Sequence, residues 1–265
     1  KRLPSAQCFW CVMSETPTDG RLHVLKAIED GWGAFTKAPW PFVLFTLLLG
    51  VLSIALQIMS AIVTSLAQNE EGVGFGETTV LTIIFMVGSW IVSLWGVTGM
   101  VRGSWIALEG RKPELSDFVR WDGTAAGRVF VRWIALGVTF LVIAAACVLA
   151  GIGLSQLNQW LIIIPAVVAI VLFTYLSVNQ KFLPYVAMLE ETGPMETIQR
   201  GRSAVDPSWW WVVLLLIVDT IIISIGALLC GVGLLVAAPL VACITTAAYR
   251  QLFGTTDAMG LVSSD

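Results

Sequence analysis

Charge is scarce in this chain of 265 residues: Asp, Glu, Lys and Arg make up 12% and hydrophobic residues 57%, whereas a soluble domain carries roughly 25% charge. With a mean hydropathy of +0.85, the composition is that of a membrane protein. Histidine is reduced to one residue, His23, outside the apolar segments. That excludes a bis-histidine haem and a histidine cluster for a transition metal. HExxH, GxSxG and Walker-type glycine loops are missing, so metalloprotease, hydrolase-elbow and nucleotide-hydrolysis readings have no footing. An enzyme is conceivable only through carboxylate chemistry that no motif marks, and the chain is read as non-enzymatic. The formal charge of -3 offers no basic face for nucleic acid. Of five cysteines, Cys147, Cys230 and Cys243 fall in apolar segments while Cys8 and Cys11 form one CxxC. No disulfide framework follows. The CxxC has zinc-ribbon spacing, but a structural zinc needs four ligands and His23 is the one further soluble candidate. No cofactor or metal is expected.

Long apolar runs are what the chain does have. Six segments, near 41–66, 79–101, 129–152, 159–181, 209–229 and 234–252, reach the length of about 20 residues that a helix needs to cross a bilayer. With the amino terminus inside, all 15 basic residues fall in inner regions, which the positive-inside rule favours. The outer loops "AQNEEGVGFGET", "GIGLSQLNQ" and "CGVG" hold none. Both termini are expected to be cytoplasmic. Trp40, Trp133, Trp160 and the triplet Trp209, Trp210, Trp211 lie at segment ends and are read as interfacial anchors. Trp90 and Trp95 lie deeper, where a ligand-stacking role is the lesser alternative to anchoring.

The sequence also repeats itself. "VLAGIGL" at 148–154 matches "LLCGVGL" at 228–234 with an offset of 80, and Leu115 and Phe118 match Met195 and Ile198 with the same offset. The first third fits more loosely, through Leu25, Ile28 and "GVGF" at 72–75. Each unit reads as a short amphipathic interfacial segment followed by a transmembrane hairpin. In the first, Leu22, Leu25, Ile28, Trp32 and Phe35 recur at spacings of three and four and share a helical face. Met195, Ile198 and Val205 take those places in the third, after Pro194 at a first-turn position. The fold class is therefore all-α and polytopic: six transmembrane helices as three hairpins, each preceded by a short amphipathic helix.

The pattern "FLPYVAMLEETGPMETIQRGRSAV", an apolar hairpin turning at "CGVGLLVAAP" and the ending "AAYRQLFG" resemble an uncharacterised six-helix bacterial inner-membrane family, related to the membrane domain fused to some glycerophosphodiester phosphodiesterases. The resemblance covers roughly residues 20 to 254 and implies a bacterial cytoplasmic membrane. It carries no active site across, because its motifs are helix-end and turn signals. The chain divides into a flexible tail at 1–19, the six-helix domain at 20–254 and a C-terminal tail at 255–265. Within the first tail, "MSETPTDG" reads as an ordinary polar amino terminus, with Met13 as the biological start.

Polar residues inside the apolar spans are few. Gly96, Gly99, Gly137 and Gly226 are read as close-packing points, and Pro165 and Pro239 as kinks that serve packing or a transport site. Asp219, in "LLLIVDTIIIS", stands about 15 Å from Trp209 along a helix, near the midplane of a core roughly 30 Å thick. It must face the bundle interior, protonated or hydrogen-bonded. Tyr175, Thr245 and Thr246 are its candidate hydroxyl partners, and no second ionisable group is counted at that depth. A functional acid and a structural interhelical hydrogen bond are equal alternatives. Two functions survive. The first is a structural or accessory component, held in the lipid bilayer and joined to a larger membrane assembly. The alternative is a small transporter or lipid-handling protein with a polar cavity near Asp219.

Overall fold

A computed structural model describes residues 22–69, 75–229 and 231–260, with the side chains at 66–69 and 75–78 outside the description. The tail at 1–19, with Cys8, Cys11 and Met13, lies outside the described residues, as do residues 70–74 and Cys230. The described chain forms ten α-helices and no strand. They are α1 (Val24–Lys37), α2 (Pro39–Asn69), α3 (Phe75–Leu108), α4 (Leu115–Val119), α5 (Gly123–Ser155), α6 (Ile163–Asn179), α7 (Leu183–Leu189), α8 (Pro194–Val205), α9 (Trp209–Leu228) and α10 (Leu234–Phe253). Six helical stretches are long and apolar enough to cross a membrane. The protein is an all-α polytopic membrane protein.

Helix boundaries follow from local chemistry. The Asp122 carboxylate caps α5 by accepting from the amides of Thr124 and Ala125 at 3.0 and 2.9 Å, satisfying donors that a helix start leaves free. The helix therefore begins well before the apolar run at 129 and takes in Arg128 and Arg132. Burial pushes the Asp122 carboxyl up, but hydrogen bonds from Ala125 and Thr124 and the charge of Arg102 outweigh it and hold the group below its ordinary range. At the other end of the bundle, Gly231 turns the chain with φ +79, a conformation in which glycine carries no Cβ penalty.

Helices adjacent in sequence pack in pairs: α2 with α3, α5 with α6, and α9 with α10. The centre is α10, which also packs on α1, α2 and α3. Half of its span is buried, against 6% of the α5 span, so α10 forms the core while α5 stands at the periphery. Small residues mark the packed face of α10. Ala237, Cys243, Thr245, Thr246, Ala247 and Ala248 are all buried on α10, and small side chains let helix backbones approach closely in a membrane.

The clearest approach is that of α1. A Cβ on Gly31 would lie 2.6 Å from the Ile244 Cα. Helix α1 buries Val24, Ala27, Gly31, Ala34 and Phe35, while Leu25 and Trp32 are 84% and 54% exposed. Of the face expected from the large apolar residues, Leu22 and Phe35 pack inside and Ile28 lies against the core, while Leu25 and Trp32 point away, and small residues complete the packed face. Helix α8 behaves alike: Thr197, Gly201 and Val205 are buried and Met195 is exposed. Gly31 and Gly201 stand at the same place, each six residues after Leu25 and Met195.

Beside α10, the rings of Phe42, Phe45 and Phe118 gather within 5.4 Å of one another in the pairs Phe42–Phe118 and Phe45–Phe118. Gly99 and Gly103 make room for them, since a Cβ at Gly103 would fall 2.1 Å from the Phe118 ring. Gly96 and Gly226 are close-packing points too, against Leu49 at 3.0 Å and Ala237 at 2.7 Å. Gly137 is not, because a Cβ there meets nothing within 4 Å; it lies on the loosely packed α5.

Candidate functional site

Asp219 is buried on the inner face of α9, which also holds Val212, Leu215 and Gly226. Its partner is a cation. Lys181 Nζ donates to Asp219 Oδ2 at 2.5 Å, with the two side chains only 11% and 8% exposed. The expectation that no ionisable group reaches this depth is therefore corrected. Lys181 closes the fourth apolar segment, so it counts as an inner-end charge by position. Helix α6 stops at Asn179, however, and the chain turns through Gln180–Phe182 into α7, which is almost wholly buried. The turn carries Lys181 inward, and its flexible four-carbon stem does the rest.

The hydroxyl partners divide. Thr245 Oγ1 donates to the same Oδ2 at 3.5 Å. Thr246, one position around the helix, instead donates to the Ala242 carbonyl at 2.7 Å and lies 3.4 Å from the Tyr185 hydroxyl. Tyr175 does not reach Asp219. Its hydroxyl donates to Asp206 Oδ1 at 2.7 Å and accepts from Arg202 Nε at 3.0 Å, because it lies one turn before the end of α6, level with the start of α9. Asn179 joins this cluster through a 3.0 Å bond to Asp206. The second Asp219 oxygen, Oδ1, is buried with no hydrogen-bond partner, which in an interior of low dielectric is costly unless something donates to it.

A cavity of about 530 Å³ adjoins the pair, walled by α2, α3, α5, α7 and α10. Thr245 and Tyr185 belong to its lining, and Thr46, Ser53 and Ser93 add hydroxyls from the opposite wall. Asp219 itself stands one hydroxyl behind the surface. Of the residues expected beside Asp219, Thr245 lines this space, with four further hydroxyls in an otherwise apolar wall, and Lys181 is the missed charge. Its signal was available: a lysine inside the limits of an apolar segment.

The tryptophans also divide. Trp40, Trp160, Trp210 and Trp211 are exposed on the apolar surface. Trp133 and Trp209 are half-buried. Trp133 lies 6.1 Å from the Trp90 ring and lines the cavity, and Trp209 stacks on Tyr175 at 6.5 Å. Trp95 donates its indole N–H to the Val119 carbonyl at 2.9 Å, binding α3 to α4. Arginines brace the same end. Arg102 donates to the carbonyls of Asp117 and Arg120 and pairs with Asp122 at 3.6 Å. Arg132 donates to Thr197 Oγ1 and to the Thr192 carbonyl, and Arg128 to the carbonyl of Ala187. Among the described residues no group of three or more His, Cys, Asp and Glu is placed to hold a metal ion.

No family model, curated protein or solved structure matches the chain. None of the three therefore supports the resemblance to the six-helix bacterial family.

Proposed function

We propose that this is a lipid-handling membrane protein whose ligand enters the cavity beside Lys181 and Asp219. One observation carries the reading: a buried ion pair with an unsatisfied carboxylate oxygen stands one threonine away from a hydroxyl-lined space within a membrane-spanning bundle. A bundle held together for stability alone gains little from a buried ion pair, since an apolar replacement of similar volume is often as stable. Ionisable groups inside a membrane mark ligand or ion pathways by default. Native mass spectrometry of protein extracted in mild detergent tests it. A lipid held at fixed stoichiometry, and lost when Ser93→Leu narrows the cavity, is the expected result. Identical lipid retention in both proteins refutes the reading.

The second reading, an accessory component of a larger membrane assembly, draws on the outward faces of α1 and α8. Leu25, Trp32 and Met195 are exposed there beside charged residues, as a platform for a partner requires. A protein partner that co-purifies at fixed stoichiometry supports it. The resemblance and the charge census together support a bacterial cytoplasmic membrane, with both termini inside and a threefold repeat of interfacial helix and hairpin. Cysteines introduced in "NEEGVG" are then labelled by an impermeant thiol reagent from outside the cell, and those in "EGRKPE" are not. The opposite labelling pattern rejects that orientation.

A further inference from the structure

The chemistry of the cavity wall narrows the ligand class. We propose, resting on the lipid-handling reading, that the cavity takes an uncharged lipid with a free hydroxyl, of the diacylglycerol or long-chain alcohol kind.

The first argument is charge. The lining carries no Lys, Arg, Asp, Glu or His, and the ion pair joined to it through Thr245, Lys181 with Asp219, already neutralises itself at 2.5 Å. An anionic headgroup entering here takes Lys181 from Asp219 and leaves a buried carboxylate alone. A cationic headgroup does the reverse. Either leaves one uncompensated buried charge, the arrangement that proteins avoid most strongly. A neutral headgroup leaves the pair intact.

The second argument is proton direction. Three of the five wall hydroxyls already spend their protons on the protein: Thr245 on Asp219 at 3.5 Å, Thr46 on the Phe42 carbonyl at 2.8 Å, and Tyr185 on the Ala242 carbonyl at 3.5 Å. Those three turn an acceptor to the cavity, while Ser53 and Ser93 keep a donor as well. A ligand that satisfies both kinds must donate and accept, and a hydroxyl does both without charge. An ester or a ketone alone serves the two serines only. Such polar discrimination is strong, because a site with buried polar groups rejects an analogue that leaves them unpaired.

The third argument is shape. The volume of about 530 Å³ lies in the roughly 300–1,000 Å³ range of ligand pockets. The rest of the wall, Leu49, Val92, Val97, Met100, Val241 and Trp133, is apolar and suits the first part of an acyl chain. Headgroup and chain are thus distinguished by one wall.

The test uses the full chain in lipid nanodiscs, loaded separately with dioleoylglycerol and with dioleoylphosphatidate, which share acyl chains and differ in headgroup charge. Retained lipid is read by mass spectrometry, and Ser93→Leu and Thr245→Val are compared with the parent. Dioleoylglycerol retained at least tenfold over phosphatidate, with retention lost in Ser93→Leu and weakened in Thr245→Val, is the expected outcome. Where Ser93→Leu does not fold, Ala238→Leu on the facing wall replaces it. Phosphatidate retained equally or better, and lost in the same variants, overturns the ligand class and leaves the lipid-handling reading standing. Retention of both lipids unaffected by either cavity variant, or of neither, overturns both.

Discussion

Removing one member of the Lys181–Asp219 pair tests the site more sharply than removing both. At 2.5 Å and an effective dielectric constant of about 20, the Coulomb attraction is roughly 7 kcal/mol. Taking each ion out of water costs several kcal/mol. The two terms nearly cancel, so the intact pair contributes little net stability, but a lone partner keeps its desolvation penalty with nothing to offset it. Asp219→Leu is therefore expected to destabilise by about 3–5 kcal/mol, and Lys181→Met by a similar amount. The double variant Lys181→Met with Asp219→Leu should recover most of that loss. Chemical or thermal unfolding in a single mild detergent gives the four corners of the cycle, and a coupling of a few kcal/mol is the expected reading. Additive losses would refute the pairing and return Asp219 to its other contact, Thr245. A second readout separates function from structure: the double variant, though folded, should retain less lipid, because the hydroxyl of Thr245 loses the acceptor that orients it.

Three further outcomes follow from the packing. Gly31→Leu forces a side chain against the Ile244 backbone, where even a Cβ would lie at 2.6 Å, and should destabilise by about 1–3 kcal/mol. Gly33→Ala, with nothing within 4 Å, should stabilise α1 by up to about 1 kcal/mol; equal effects in a thermal assay reject the close approach of α1 to α10. In the turn, Gly231→Val places a branched residue at φ +79 for about 1–2 kcal/mol, whereas Gly233→Ala destabilises for a different reason, its Cβ lying 2.6 Å from the Gly226 carbonyl oxygen. Unchanged melting temperatures in both would reject the turn geometry. Asp122 has a folded pKa below the unfolded 3.8, so its ionised form stabilises the protein above that value and the contribution is lost as pH falls through the folded one. Asp122→Asn should therefore melt lower than the parent at neutral pH, with the gap closing in strong acid; a gap independent of pH contradicts the shift.

How far the sequence speaks depends on what kind of physics each feature obeys. Transmembrane helices were legible because hydropathy and length decide them locally: the apolar runs at 209–229 and 234–252 reappear as Trp209–Leu228 and Leu234–Phe253. The inward placement of Asp219 was legible for the same reason, since the penalty of a charge in lipid is a one-body property. Its partner was not. Lys181 meets Asp219 across 38 positions of sequence, and only the turn after Asn179, an event of tertiary packing, brings them together. Tyr175 failed in the complementary way, being at a suitable count along its helix but beside Asp206 in space.

The faces of α1 and α8, which bury Phe35 and Val205 but expose Leu25 and Met195, show a more general cause. In water, the large apolar residues of an amphipathic helix mark the face that packs, because burial of area drives association. In a bilayer that drive is missing between helices, since lipid tails are as apolar as leucine, and close van der Waals fit takes its place. Small residues then mark the packed face, and large ones are free to face lipid. Gly31 against Ile244 and Gly201 against the Asn179 carbonyl, 3.0 Å from a Cβ there, obey the second rule, while Leu25 and Met195, read by the first, face outward. The same substitution of rules accounts for the core lying on α10, whose alanines and threonines look unremarkable beside the leucine and isoleucine of α9. It also bears on the cavity. Its wall joins the small residues Gly96, Ala238 and Ala242 to large ones, Trp133 among them, and a bulkier residue at Ser93 or Ala238 narrows it.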